Sequence, residues 1–148
     1  MDILIINGPN LNLTGKREPD IYGDTPFETI LAALKKEYPG IRIEYVQSNV
    51  EGEIISFLQQ ADGIYDGVIL NAGGYTHTSV AIGDTLAAVE VPVIEVHMSN
   101  IDRRETFRKI SHISAHCAGS ISGFGPGSYF LALEALKRRS ENRFFLNK

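Results

Sequence analysis

The order of its apolar runs constrains this chain more than any other feature. Five short runs, at residues 3–6, 41–47, 67–71, 92–97 and 119–122, alternate with longer amphipathic stretches. Strict alternation of strand-like and helix-like segments implies a parallel sheet with right-handed crossovers and helices on both faces. The run 67–71 is apolar up to its terminal Asn71, as a strand buried on both faces must be. Ile41, Ile43 and Tyr45 instead alternate with Arg42 and Glu44, the pattern of a strand near a sheet edge. The expected fold is α/β: a flavodoxin-like doubly wound five-stranded parallel sheet in the order 2-1-3-4-5. At 148 residues with 43% hydrophobic content, a single domain over 1–148 is expected.

The amphipathic stretches carry helix punctuation. Thr25-Pro-Phe-Glu28 is expected to open the first helix, with Thr25 as N-cap, Pro26 in the first helical position and Glu28 completing a capping box. Phe27, Ile30, Leu31 and Leu34 give that helix one apolar face, and Pro39-Gly40 ends it. Further helices are expected over 51–61, about 79–89 and about 128–139, with a helical turn or short helix over 102–110.

Composition narrows the function class. A net charge of -4 gives no broad basic face for nucleic acid, and Lys137-Arg138-Arg139 reads as the solvated last turns of a helix. The single cysteine, Cys117, cannot form an internal disulfide, and no Cys/His pattern has zinc spacing. No apolar run approaches membrane-spanning length, and Asp2 follows Met1 where a signal peptide would be basic. A soluble, cytoplasmic chain with no membrane partner is expected.

In a doubly wound sheet, ligands sit outside the carboxyl ends of the strands, where the strand order reverses. The residues delivered there are Asn7 and Asn10 after the first strand, Asn71 and His77 after the third, and Glu95, His97 and Ser99 at the fourth. The loop from Asn7 to Gly23 is long for a compact domain, which marks it as functional, and about 14–24 is expected to form a lid. Glu95 lies two residues before His97 and so projects to the same face. Each residue also has a plain structural reading: Asn satisfies turn backbone, histidines pack in cores, and Tyr22 pins a loop to the body. Arg17, Arg103, Arg104 and Arg108 would ordinarily be solvated or in surface ion pairs. His112 and His116, four residues apart without an acidic partner nearby, read as surface or packing residues rather than a metal site. Arg17 stands five residues before Tyr22. A tyrosine base near neutrality needs its pKa brought down from about 10 to roughly 7 or 8. One or two guanidiniums about 4 Å away, at an effective dielectric of roughly 20, suffice. Glu18 and Asp20 act in the opposite sense and must point away or be paired.

The motifs Asn7-Gly-Pro-Asn-Leu-Asn-Leu, Gly15-Lys-Arg-Glu-Pro19, Tyr22-Gly23, Asn71-Ala-Gly-Gly-Tyr-Thr-His-Thr-Ser79, Glu95-Val-His-Met-Ser-Asn-Ile101, Arg104-Glu-Thr-Phe-Arg108 and Gly123-Phe-Gly125 span the chain. In order and spacing it resembles type II 3-dehydroquinate dehydratase. Small departures are Met98 where leucine is more familiar, Ala72 where proline is common and Gly83 where a larger residue is frequent. The resemblance implies dehydration of 3-dehydroquinate to 3-dehydroshikimate by anti elimination through an enolate, a step of the shikimate pathway. It implies Tyr22 as base, supported by Arg17 and Arg108, a water on Asn10 at the enolate oxygen, and His97 oriented by Glu95 as acid. Asn71, His77 and Arg108 are implied to bind ring hydroxyls, and Met98 and Ser99 the substrate carboxylate. It also implies a homododecamer, a tetramer of trimers, with Asp84 reaching a neighbour's site, and no metal, Schiff base or organic cofactor.

Two rival readings remain at this level. The same fold serves flavin- or nucleotide-binding modules, but a phosphate cradle wants a short Gly/Ser/Thr loop leading straight into a helix, and here Asn-Pro-Asn and a long loop intervene. A lysine-dependent dehydratase would use Lys16 to form an imine.

Overall fold

In the computed structural model, which describes residues 1–16, 18, 20 and 23–141, five parallel strands form one sheet in the order β2-β1-β3-β4-β5. They are β1 (Asp2–Asn7), β2 (Arg42–Gln47), β3 (Gly67–Asn71), β4 (Val93–His97) and β5 (Gly119–Ser122). The described residues include four longer helices, α1 (Phe27–Glu37), α2 (Glu51–Ala61), α3 (Val80–Ala88) and α4 (Gly127–Glu141). Between β4 and β5 run short 3-10 turns, at Ile101–Arg103, Thr106–Lys109 and Ser114–His116, where a single turn or short helix was expected.

The period-two alternation of the strands splits the core in two. On one side Ile3 and Ile5 of β1, Ile69 of β3 and Ile94 and Val96 of β4 pack with Phe27, Ile30 and Leu34 of α1 and Tyr129, Ala132, Leu133 and Leu136 of α4. On the other, Leu4, Ile6, Val68, Leu70 and Val93 meet Ile54 and Leu58 of α2 and Ile82 and Leu86 of α3. Every residue of β3 and of β4 is buried, so Glu95 and His97 occupy positions otherwise given to core residues.

The start of α1 departs from expectation. The capping box does not form: Pro26, at φ −59° and ψ 147°, is the N-cap, and no side chain caps the helix. That extended ψ keeps Pro26 out of the helix, so the helix begins one residue later and Thr25 falls outside capping reach. The Pro26 carbonyl accepts from Thr29 N–H (3.1 Å) and Ile30 N–H (3.4 Å) instead. At α3 the expected start holds, with the Ser79 hydroxyl accepting from Ile82 N–H at 2.9 Å.

Candidate active site

Three strand ends build the rim. Asn7 of β1 is level with Asn71 of β3, and the chain leaves β1 against the backbone beyond β3. Gly8 N–H donates to the Asn71 carbonyl at 2.7 Å, and a Cβ on Gly8 would lie 2.5 Å from the Ala72 carbonyl oxygen. Only glycine fits between them. Asn10 follows in a left-handed conformation, φ 68°, its N–H donating to Asn49 Oδ1 at 3.0 Å. The turn Leu11–Leu13 then seats Leu11 in the core, and the Thr14 hydroxyl closes it on the Leu11 carbonyl at 2.7 Å. The start of the long loop is thus anchored rather than free.

Beneath this rim lies a buried polar bridge. The Tyr129 hydroxyl donates to Asn7 Oδ1 at 2.8 Å and accepts from Asn71 Nδ2 at 2.9 Å. Asn71 Oδ1 accepts from Gly73 N–H at 3.2 Å, which fixes which way its amide points. Burial pushes the Tyr129 hydroxyl well above the usual phenol range, so it stays protonated as the donor to Asn7.

The end of β4 supplies the titratable pair. Glu95 Oε1 and His97 Nε2 are 2.7 Å apart, with Glu95 fully buried and His97 6% exposed. Glu95 Oε1 also accepts from Ser111 Oγ at 3.1 Å, and Oε2 accepts from Ser114 Oγ. Burial alone would raise the Glu95 pKa, but the hydrogen bonds from His97, Ser114 and Ser111 outweigh it and hold the carboxyl below its ordinary value. A carboxylate only accepts, so His97 Nε2 carries a proton and Nδ1 is the ring nitrogen left for chemistry.

His77 forms the adjoining wall, its ring stacked near that of His97 with centroids 6.2 Å apart. Its Nδ1–H donates to the Ile110 carbonyl at 2.8 Å. Burial lowers its pKa, the positive charge of Arg108 adds to this, and the Ile110 carbonyl and Glu95 oppose it. A neutral His77 therefore presents a bare Nε2, an acceptor for a hydroxyl group. Arg108 Nε pairs with Glu105 at 2.8 Å, with Arg104 Nε 3.7 Å from the same carboxylate.

These groups surround a cavity of about 140 Å³. Asn10, Asn71, His77, His97, Met98, Ser99 and Arg108, all expected from the sequence, line it. Glu95 stands behind His97, and Asp84 is exposed on α3, away from the lining of this cavity. Arg17 and Tyr22 lie outside the described residues. Arg104, read from sequence as an ordinary solvated arginine, is part of the lining. Sequence reasoning also passed over Ser111, Ser114 and Tyr129; only Arg104 carried a signal, as the first residue of the Arg104–Arg108 motif. Two guanidiniums, two imidazoles, two hydroxyls and two amides suit a small, anionic, hydroxylated molecule. Among the described residues, no three His, Cys, Asp or Glu side chains converge as a metal site requires, and no helix is long and apolar enough to cross a membrane.

Known proteins match this chain over nearly its whole length. A 3-dehydroquinate dehydratase from an Exiguobacterium species is 51% identical over 97% of this chain and 99% of that protein. One from Clostridium perfringens is 49% identical over 97% of this chain and all of that protein. The crystal structure of type II dehydroquinase from Butyrivibrio crossotus superposes with a TM-score of 0.89 at 44% identity, covering 93% of this chain and 97% of that one. The family described as dehydroquinase class II matches residues 1–137, and the chain belongs to that family.

Proposed function

We propose that this chain converts 3-dehydroquinate to 3-dehydroshikimate and water, as a hydro-lyase working by anti elimination through an enolate. The observation that carries the reading is His97, backed by the buried Glu95, lining one small cavity with Arg104 and Arg108, in a class II dehydroquinase. Abstracting a proton next to a ketone calls for a base, an acid and an oxyanion stabiliser. Tyr22 as tyrosinate takes the proton from carbon, with Arg17 and Arg108 favouring its charged form. The enolate oxygen is stabilised by a water held on Asn10. His97 then gives the Nδ1 proton to the departing hydroxyl, which leaves as water, while Glu95 balances the imidazolium. Asn71, His77 and Arg108 meet the ring hydroxyls, and the His77 Nε2 acceptor is suited to one of them. The substrate carboxylate rests on the backbone N–H groups of Met98 and Ser99 and on the Ser99 hydroxyl. No metal, imine or organic cofactor enters the reaction as written.

The catalytic unit is one domain over 1–148 with a lid at about 14–24, cytoplasmic, and assembled as a homododecamer of four trimers. The exposure of Asp84 on α3 supports its reaching the site of a neighbouring copy. The test is ultraviolet detection of the conjugated enone after 3-dehydroquinate is added, with no metal or cofactor supplied. Enone formation is expected, and its absence would remove the reading. Sedimentation is expected at about twelve times 16.3 kDa; a monomer would remove the assembly.

A further inference from the structure

Glu95 is held by more than its histidine. Three donors converge on its two oxygens: His97 Nε2 and Ser111 Oγ on Oε1, and Ser114 Oγ on Oε2. Both serines belong to the segment following the Thr106–Lys109 turn, and neither is among the residues lining the cavity. Ser111 Oγ in turn accepts from Ile113 N–H at 3.2 Å and Ser114 N–H at 3.0 Å, which aims its proton at Glu95. The segment is itself seated. Ile113 is fully buried, His112 N–H donates to the Thr76 carbonyl at 2.9 Å, and a Cβ on Gly83 would lie 2.5 Å from the His112 carbonyl oxygen. The fold thus brings two hydroxyls to a fully buried carboxylate and keeps them there.

We infer that Ser111 and Ser114 are positioning residues: they keep Glu95 ionised and fixed, and through it hold His97 with Nε2 occupied and Nδ1 turned to the substrate. This rests on the dehydratase reading for its kinetic consequence, though the state of the carboxylate can be measured without turnover. Among the described residues, the other titratable and charged groups around the pair are His77, from the turn after β3, and Arg104 and Arg108, from the segment after β4. The serine hydroxyls are the uncharged donors, so removing one alters the carboxylate without altering the charge of the site.

Ser114→Ala is the sharper substitution, because Ser111 also accepts two backbone N–H groups. A hydrogen bond to a charged group is worth roughly a tenfold change in ionisation or more. Carboxyl carbon NMR of Glu95 should therefore show its ionisation midpoint about one pH unit higher in Ser114→Ala than in wild type. KM at neutral pH should stay within about twofold, since the hydroxyl lies outside the cavity, and Ser114→Thr should restore the midpoint. In parallel, kcat of Ser114→Ala at neutral pH should fall severalfold, because a less firmly held Glu95 orients His97 less well, while the acid limb, set by the ionisation of Tyr22, stays in place. If wild-type chain forms no enone, the dehydratase reading falls and the carboxyl titration alone decides this inference. Should Ser114→Ala fail to fold, Ser114→Cys, nearly the same size with a weak donor, carries the test with a smaller shift. An unmoved Glu95 midpoint in the folded variant would overturn the inference. So would a loss in which KM worsens as much as kcat.

Discussion

Replacing Tyr129 with phenylalanine isolates one oxygen atom. The ring stays, and with it the edge-on contact to Phe27 at 5.0 Å between centroids, so packing is hardly altered. What goes is the hydroxyl that donates to Asn7 Oδ1 and accepts from Asn71 Nδ2, both on buried side chains. Its loss leaves the Asn7 carbonyl oxygen and the Asn71 amide nitrogen without the hydrogen bond that each makes to it. A buried polar atom stripped of its partner costs about 1–3 kcal/mol, and with two such atoms the loss is about 2–6 kcal/mol. For a domain of this size roughly 2–4 °C of Tm accompanies each kcal/mol, so a mid-range loss of about 4 kcal/mol lowers Tm by about 8–16 °C. Melts followed by circular dichroism, with wild type and variant at one protein concentration, measure this. Asn71 also loses the contact that orients it in the cavity, so KM for 3-dehydroquinate should rise severalfold. A Tm within about 2 °C of wild type, together with an unchanged KM, would refute the view that this bridge holds the floor of the site.

Other outcomes are expected. Glu95→Gln keeps size but removes the charge that balances the His97 imidazolium, so kcat should fall by about a hundredfold or more while far-ultraviolet circular dichroism stays native; near-wild-type turnover would remove Glu95 from the acid half. Gly83→Ala would ordinarily favour a helix interior by about 1 kcal/mol, but the 2.5 Å approach of the His112 carbonyl reverses the sign, and urea melts should show a loss. Acid should weaken the fold through two groups: Glu95, held below its ordinary value, and His77, likewise lowered. Each binds protons more readily unfolded, so its contribution is full above its unfolded pKa and is lost as pH falls towards the folded one. Urea midpoints for His77→Gln should accordingly fall less than those of wild type between about pH 7.5 and 5.5.

The sheet was legible because each strand announces itself locally. Residues 67–71 and 119–122 are strands with the bounds that their apolar and turn residues suggest, and the two-residue step from Glu95 to His97 gives their shared face. The cap of α1 was misread because Thr-Pro-Phe-Glu fits two registers one residue apart, and only the ψ of Pro26 chooses between them. Ser111 and Ser114 left no trace because their partner is 16 and 19 residues earlier. Tyr129 meets Asn71 and Asn7 from 58 and 122 residues away, and no local pattern records an encounter of that span. Arg104 looked like any charged residue in a polar stretch, since its place in the cavity depends on how two short turns fold back over β4.

Strand β4 works as a counting device. Val93, Glu95 and His97 fall on the α2/α3 side because they are odd steps, while Ile94 and Val96 face α1 and α4. Deleting or inserting a single residue within it would exchange the two sets, driving a carboxylate and an imidazole among Ile3, Ile5 and Tyr129 and turning valine to the cavity. The acid pair is therefore locked to the parity of this strand. Variation in chain length is tolerable only beyond the strand ends, and an engineer altering this protein should treat 93–97 as a unit that can be transplanted whole but never lengthened.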